Sequence, residues 1–476
     1  MSLSVNIKPK AIVGLILSII IAILSFVVPP EAIGMEAVVG VRTLGVLLIT
    51  VILLMTETFA IPVTCFICIG IMYLFGCVEK FGDTLSGFTN TTSFFVIVSY
   101  ALSIAITKMP LGNRLLFFMM KLFGRSMKQV LLAFMLTIAT LSAFISNVAT
   151  AAIFVALCIS FLEIYGDDEE AKKQAGKVFM VCIAIAATVG GMVTPAGSSL
   201  NLLGINLIEK YAEIRVTFVQ WIIIGAPLGY LAVFCAWFIA SKMFKLPELD
   251  RAILEDYRNK LRAESIPDKV SFKEAYTLCV VILMFALWIA SSWFPFWDVT
   301  LVATIGCILM FIPGVEILTY KEYIKGVNWT PYIIISTMIM VGGKLVANGV
   351  TVWLCNLIFP ESLSMAAPLA VGIVAAIIFV MMVIIPSAPA IINLLAAPLA
   401  ALAVASGLPP VMLMIPLSLY AGCVIIFPFD TVPSITYAPG YYGMTDLPKV
   451  SIPLEVLMCI FAGIWVPISL GLVGLV

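Results

Sequence analysis

The chain has 476 residues, 63% of them hydrophobic and only 11% charged, with 26 basic against 26 acidic side chains and no histidine. A water-soluble domain carries roughly 25% charged residues, so a mean hydropathy of +1.18 with so little charge excludes a soluble globular protein. The even charge balance offers nothing for nucleic acid to bind, and without histidine any proton relay has to run through carboxylates.

The first apolar run, Ala11 to Val28, follows Lys8 and Lys10 and ends in Val28-Pro29-Pro30 rather than at a small-residue cleavage site. It is expected to be a spanning helix, with residues 1–29 as its unit and no cleavable signal. Further runs such as Ile61 to Phe75, Trp221 to Ala240 and Leu454 to Leu475 approach or reach the roughly 20 residues that cross a hydrocarbon core. Eleven cysteines are scattered through such runs. Cys65 and Cys68 form a CxxC with no second pair and no histidine, which fits packing better than metal or redox chemistry.

Two stretches are too long for one crossing. Lys128 to Gly166 carries Ser146-Asn147 near its middle, and Glu361 to Pro409 is interrupted by Pro386-Ser387-Ala388-Pro389. Each is expected to be a re-entrant hairpin of two half-length helices meeting at a polar tip, over 128–164 and 364–406. Irregular backbone at that depth is tolerated only inside protein or beside a water-filled cavity. With both hairpins returning to their own side, twenty-one lysines and arginines fall on the face of the amino terminus and three, Lys80, Lys210 and Arg215, on the other. This bias places the amino terminus in the cytoplasm and the carboxyl terminus outside.

Each hairpin precedes a second interruption. Gly190 to Asn201 breaks a helical stretch over 174–212, and Phe427 to Ser434 breaks another over 409–440. Hairpin and broken helix therefore occur twice, entering from opposite sides, and the fold class expected is an all-α integral membrane protein built as an inverted repeat. About eleven spanning helices accompany the two hairpins. The halves run over 30–243 and 274–476, joined by a charged cytoplasmic linker over 244–273.

Helices that stop inside the membrane leave N–H groups that suit an anion and C=O groups that suit a dehydrated Na⁺. Ser146 and Asn147 bring short oxygen-bearing side chains to such a place. Gly197 lets backbone approach closely, and Pro195 enforces the break.

At these residues the chain resembles the divalent anion:sodium symporters, the sodium-coupled dicarboxylate, citrate and sulfate transporters. Thr56-Glu57-Thr58-Phe59-Ala60-Ile61-Pro62-Val63-Thr64 is similar to that family's Thr-Glu-x-x-Pro-x-x-x-Thr stretch, and Ser146-Asn147-Val148 to its first Ser-Asn-Thr tip. Gly190 to Asn201 is similar to its glycine pair and Thr-Pro break, with Phe218-Val219-Gln220-Trp221 and Gly225-Ala226-Pro227 following. The absence of histidine and the Lys- and Ile-rich composition point to a bacterial inner membrane. The resemblance implies a homodimer, divided into scaffold and transport domains and working as an elevator. It implies Na⁺ at a first site around Ser142, Ser146, Asn147 and Gly197. A small anionic substrate would lie between the tips and breaks, against Ser146, Asn147, Val148, Thr194 and Ser198 on one side. On the other it would meet Ser387, Ala388, Pro389, Thr431 and Pro433.

The second half departs from the pattern. Its tip reads Ser387-Ala388-Pro389, and Val383 stands where a threonine is expected. Asp430 stands in the second break where the family has a small residue. Four roles remain open for it: a carboxylate ligand, with Ser387, to a second cation; a proton-coupling acid; a partner for a cationic part of the substrate; or one side of a salt bridge, for instance with Lys344. The function expected is sodium-coupled symport of a small divalent or carboxylated anion. Sodium-independent exchange and proton coupling through Asp430 are the alternatives. An ion channel lacks a repeated filter here, and an intramembrane hydrolase lacks a nucleophile with its base, so the chain is not expected to be an enzyme.

Overall fold

The computed structural model describes residues 9–358, 362–384, 388–423, 425–427 and 430–476. Among them are twenty-one α-helices and no strand, as backbone surrounded by hydrocarbon requires. Ten helices are long and apolar enough to cross a membrane, and five shorter apolar helices accompany them. The protein is a multi-pass membrane protein.

Helix α1 (Pro9–Val27) packs on α2 (Val38–Met55) and has no counterpart later in the chain. From α2 the order continues with α3 (Ile61–Leu74), a 3-10 segment (Phe81–Thr89), α4 (Thr91–Lys108) and the short α5 (Leu111–Phe123). Then come α6 (Met127–Ser142), α7 (Asn147–Leu162), α8 (Glu169–Gly190), α9 (Ser199–Ala212) and α10 (Phe218–Met243). The charged helix α11 (Arg251–Ser265) follows and packs on α5.

The same order then recurs. α12 (Phe272–Ala290), α13 (Val299–Met310), the short α14 (Tyr320–Gly326), α15 (Trp329–Ala347) and the short α16 (Val350–Ile358) lead to α17 (Ala367–Ile384) and α18 (Ala388–Ala405). α19 (Pro410–Tyr420), α20 (Thr431–Tyr437) and the long α21 (Asp446–Leu472) complete it. Local chemistry starts many of these helices. Asn90, Ser126, Ser271 and Asp298 each cap the helix that follows, and Thr217 with Gln220 forms a capping box at α10.

Packing repeats along with order. α6 and α7 both lie on α8, as α17 and α18 both lie on α19. α9 crosses to rest on α18 and α19, while α20 crosses to rest on α7 and α8, and α10 packs on α21. α6 and α7 fold back on each other: the Phe134 ring meets Phe154 at 6.1 Å and Phe161 at 5.5 Å, on the far side of the turn at 143–146. The base of α17 and α18 is closed by the N–H of Leu363 donating to Ser406 Oγ at 2.8 Å. Residues 385–387, at the turn between these two helices, lie outside the described residues.

Among the described residues the ion pairs join segments that the sequence leads one to expect on the basic face. Lys10 pairs with Glu57, Lys108 with Glu322, Arg114 with Glu274, Lys172 with Glu163, and both Lys177 and Lys449 with Asp446. Lys108 and the cap of α14 hold the Glu322 carboxyl down to about 2. The opposite face has its own contacts, with Asn348 donating to Thr43 Oγ1 and to the Cys77 carbonyl.

The second break differs in extent from the expectation. α19 already ends at Tyr420, ahead of Phe427, and α20 begins at Thr431. Gly422 lies just past that end and lets α9 approach closely: a Cβ there would sit 2.9 Å from Leu200 Cδ1.

Candidate functional site

Helix α6 ends at Ser142, and α7 begins at Asn147 after a four-residue turn. The turn brings the two ends together. Ser142 Oγ lies 2.7 Å from Asn147 Oδ1 and 2.5 Å from the Ala187 carbonyl oxygen near the end of α8. One hydroxyl proton can serve only one of these two acceptors at a time. Three oxygens from three helices thus gather at one buried place, which is the chemistry a small dehydrated cation takes.

The first break frames this cluster. Thr194 is buried and donates its hydroxyl to the Ala143 carbonyl at 2.5 Å, and its Oγ1 accepts from Gly197 N at 3.0 Å. Asn201 Nδ2 donates to the carbonyls of Gly191 and Thr194, each at 2.8 Å, and Trp221 Nε1 donates to Met192 O at 3.0 Å. A Cβ on Gly197 would lie 2.6 Å from Gly191 O, and one on Gly191 would lie 2.5 Å from Asn147 Oδ1. Neither position tolerates a side chain without moving the oxygens that surround the site.

An anion has a place beside the cation. Ser146 precedes α7 with extended backbone and makes no side-chain cap bond, so the first turn of α7 presents N–H groups without a capping side chain. Ser146, Asn147 and Val148 are all half-buried. Ser198 does cap its helix, accepting from Leu200 N at 3.3 Å. Of the residues expected at the first tip, the structure brings Ser142 and Asn147 into contact and sets Thr194 and Gly197 directly behind them.

The second half is arranged differently. Ala388, half-buried, and Pro389, buried, open α18, and Ser387 lies outside the described residues. Asp430 is the N-cap of α20, with its carboxylate accepting from Thr431 N at 2.7 Å while its carbonyl accepts from Ser434 Oγ. Both Asp430 and Thr431 are exposed, whereas Pro433 is buried and turns its carbonyl to Thr436 and Tyr442. Among the described residues no ion pair joins Asp430 to Lys344, which sits half-buried on α15.

Asn393 was not anticipated. It is 4% exposed on α18, donates to the Pro389 carbonyl at 2.8 Å, and its Oδ1 would meet a Cβ on Gly342 at 2.5 Å. An asparagine amide laid on a glycine thus occurs in each half, Asn147 on Gly191 and Asn393 on Gly342. The available signal was a lone amide within the Ala-, Leu- and Pro-rich run of α18. The two breaks also meet: Cys423 Sγ lies 3.8 Å from the Thr188 carbonyl, and α9 passes over Gly422 and Ser418.

A family profile described as the sodium:sulfate symporter transmembrane region matches residues 9–472. The chain is 26% identical over 454 residues to sodium-dependent high-affinity dicarboxylate transporter 3 of Caenorhabditis elegans, covering 85% of this chain and 79% of that protein. It is 25% identical over 384 residues to sodium-dependent dicarboxylate transporter SdcS of Staphylococcus saprophyticus, covering 76% and 73%. A membrane protein of Cupriavidus necator is 22% identical over 289 residues, covering 60% and 56%.

Proposed function

The chain belongs to the sodium:sulfate symporter family, and from that premise we propose that it couples Na⁺ entry to the uptake of a small divalent or carboxylated anion. It is a transporter and not an enzyme. The observation that carries the reading is the oxygen cluster of Ser142, Asn147 and Ala187 beside the uncapped start of α7. A cation held there lowers the cost of placing an anion against the α7 N-terminus, and the anion returns the favour. That reciprocity is coupling.

In this reading the two halves are inverted about the membrane plane, with α6–α9 and α17–α20 forming the moving part. Substrate sits between the two hairpin tips, touching Ser146, Asn147, Val148, Thr194 and Ser198 from one half. From the other it touches Ala388, Pro389, Thr431, Pro433 and Ser387. Transport proceeds by an elevator motion within a homodimer in the cell inner membrane, with the amino terminus cytoplasmic. The names of the relatives favour a dicarboxylate over sulfate.

Sodium-independent exchange is the second reading. It draws on the start of α18, where Ala388 and Pro389 supply no hydroxyl or amide to a second cation. Uptake of labelled succinate and sulfate into proteoliposomes separates the two. The symporter accumulates one of them only with an inward Na⁺ gradient. Uptake that ignores Na⁺ and requires internal counter-substrate establishes exchange instead.

A further inference from the structure

The transport reading leaves a second buried acid unused. Glu455, on α21, is 4% exposed, and the N–H of Ile425 in the second break donates to its carboxylate. Around it stand Tyr420 at the end of α19, Cys423 in the break and Cys459 one turn further along α21. The Tyr420 hydroxyl is committed to the Met458 carbonyl at 2.6 Å. Of the helices packed on α21, α17 and α19 carry no lysine or arginine, Lys242 of α10 lies over the Phe238 ring, and on α8 Lys172 pairs with Glu163 and Lys177 with Asp446. Among the described residues no lysine or arginine pairs with Glu455.

Ser451 supplies an independent observation. It precedes Glu455 by four residues and so shares its face of α21. It is 1% exposed, and among the described residues its hydroxyl oxygen has no hydrogen-bond partner. A buried carboxylate without a counter-charge and a buried hydroxyl without a partner are each strongly unfavourable. Glu455 lies beside the second break, where the N–H of Ile425 reaches its carboxylate. We propose that Glu455 and Ser451 form a buried site for one small monovalent cation, Na⁺ or H⁺, against the second break and apart from Asp430. Occupied, the site places one unit of positive charge against α19, which belongs to the moving part. Its role in coupling rests on the transport reading, but its occupancy does not.

The test uses the purified full-length protein without any anion. Its melting temperature is followed against NaCl, with choline chloride as control, and against pH. With Na⁺ as occupant, Glu455→Gln raises the sodium concentration for half the shift about tenfold or more, and Ser451→Ala moves it in the same direction. With H⁺ as occupant, Glu455→Gln flattens the acid dependence and leaves the sodium shift as it was. If both variants keep the native sodium and acid dependence, the proposal is overturned. Should Glu455→Gln fail to fold, Ser451→Ala decides alone, because removing an idle hydroxyl leaves both dependences unchanged. Cation binding without anion uptake would sink the transport reading while sustaining this site.

Discussion

At Asp430 a carboxylate takes the place at a helix N-terminus that an anionic ligand would otherwise fill. Its bond to Thr431 N accounts for the start of α20, but asparagine caps a helix about as well. Asp430→Asn should therefore fold with an unchanged melting temperature in the absence of sodium. The Na⁺ concentration for half-maximal uptake should rise about tenfold, which removal of a charged ligand worth about 1.4 kcal/mol produces. Sodium activation identical to the native protein would rule out a ligand role. Gly197 makes a sharper case. A methyl group there meets the Gly191 carbonyl at 2.6 Å, and backbone cannot swing aside as a side chain can. Gly197→Ala should lower stability by about 1–3 kcal/mol and weaken sodium-dependent stabilisation, both read in one thermal titration. The need for a small residue at Gly197 was legible from its place after Thr194-Pro195. The partner oxygens on Ala143, Ala187 and Gly191 were not, because carbonyls carry no sequence signature.

The helical elements were legible where composition is unambiguous. Lys128 to Gly166 holds too many apolar residues for one crossing and has its polar pair near the centre, and α6 and α7 part there. At the far ends of α17 and α18, Leu363 N donates to Ser406 Oγ. Ser406→Ala leaves that N–H without its acceptor and should cost about 1 kcal/mol, seen as a lower melting temperature. If α17 and α18 act as one unit, the same variant also slows uptake without shifting its sodium dependence. Native uptake in a destabilised variant would separate the two. The second break was misjudged in extent because Gly422, where the chain leaves the helix, has no special spacing. Its importance comes from Leu200 on a helix more than two hundred residues earlier in the chain.

On the scale of the whole molecule, several ion pairs tie distant segments on what the charge distribution makes the basic face, from Lys10 and Glu57 to Lys177 and Asp446. The other face carries Lys80, Lys210 and Arg215. A membrane-impermeant thiol reagent applied to intact cells should modify Lys210→Cys and spare Lys260→Cys, above the background of the native cysteines. The inverse pattern would reverse the orientation, and equal labelling would sink the two-face arrangement. Such sidedness is readable from sequence because positive charge partitions by topology and not by contact.

The all-helical membrane class and its apolar spans followed from the sequence alone. Each is set by hydropathy over a window or by local helix chemistry, and both act between near neighbours in the chain. The crossing of α9 over the second break, the pairing of Asn393 with Gly342, and Glu455 beneath Ile425 were decided only in the tertiary structure. They join residues far apart in sequence, where burial and the demand that buried polar groups find partners select the contact. The two interrupted helices were visible from the start. That each is completed by the other half of the chain is a property of the fold.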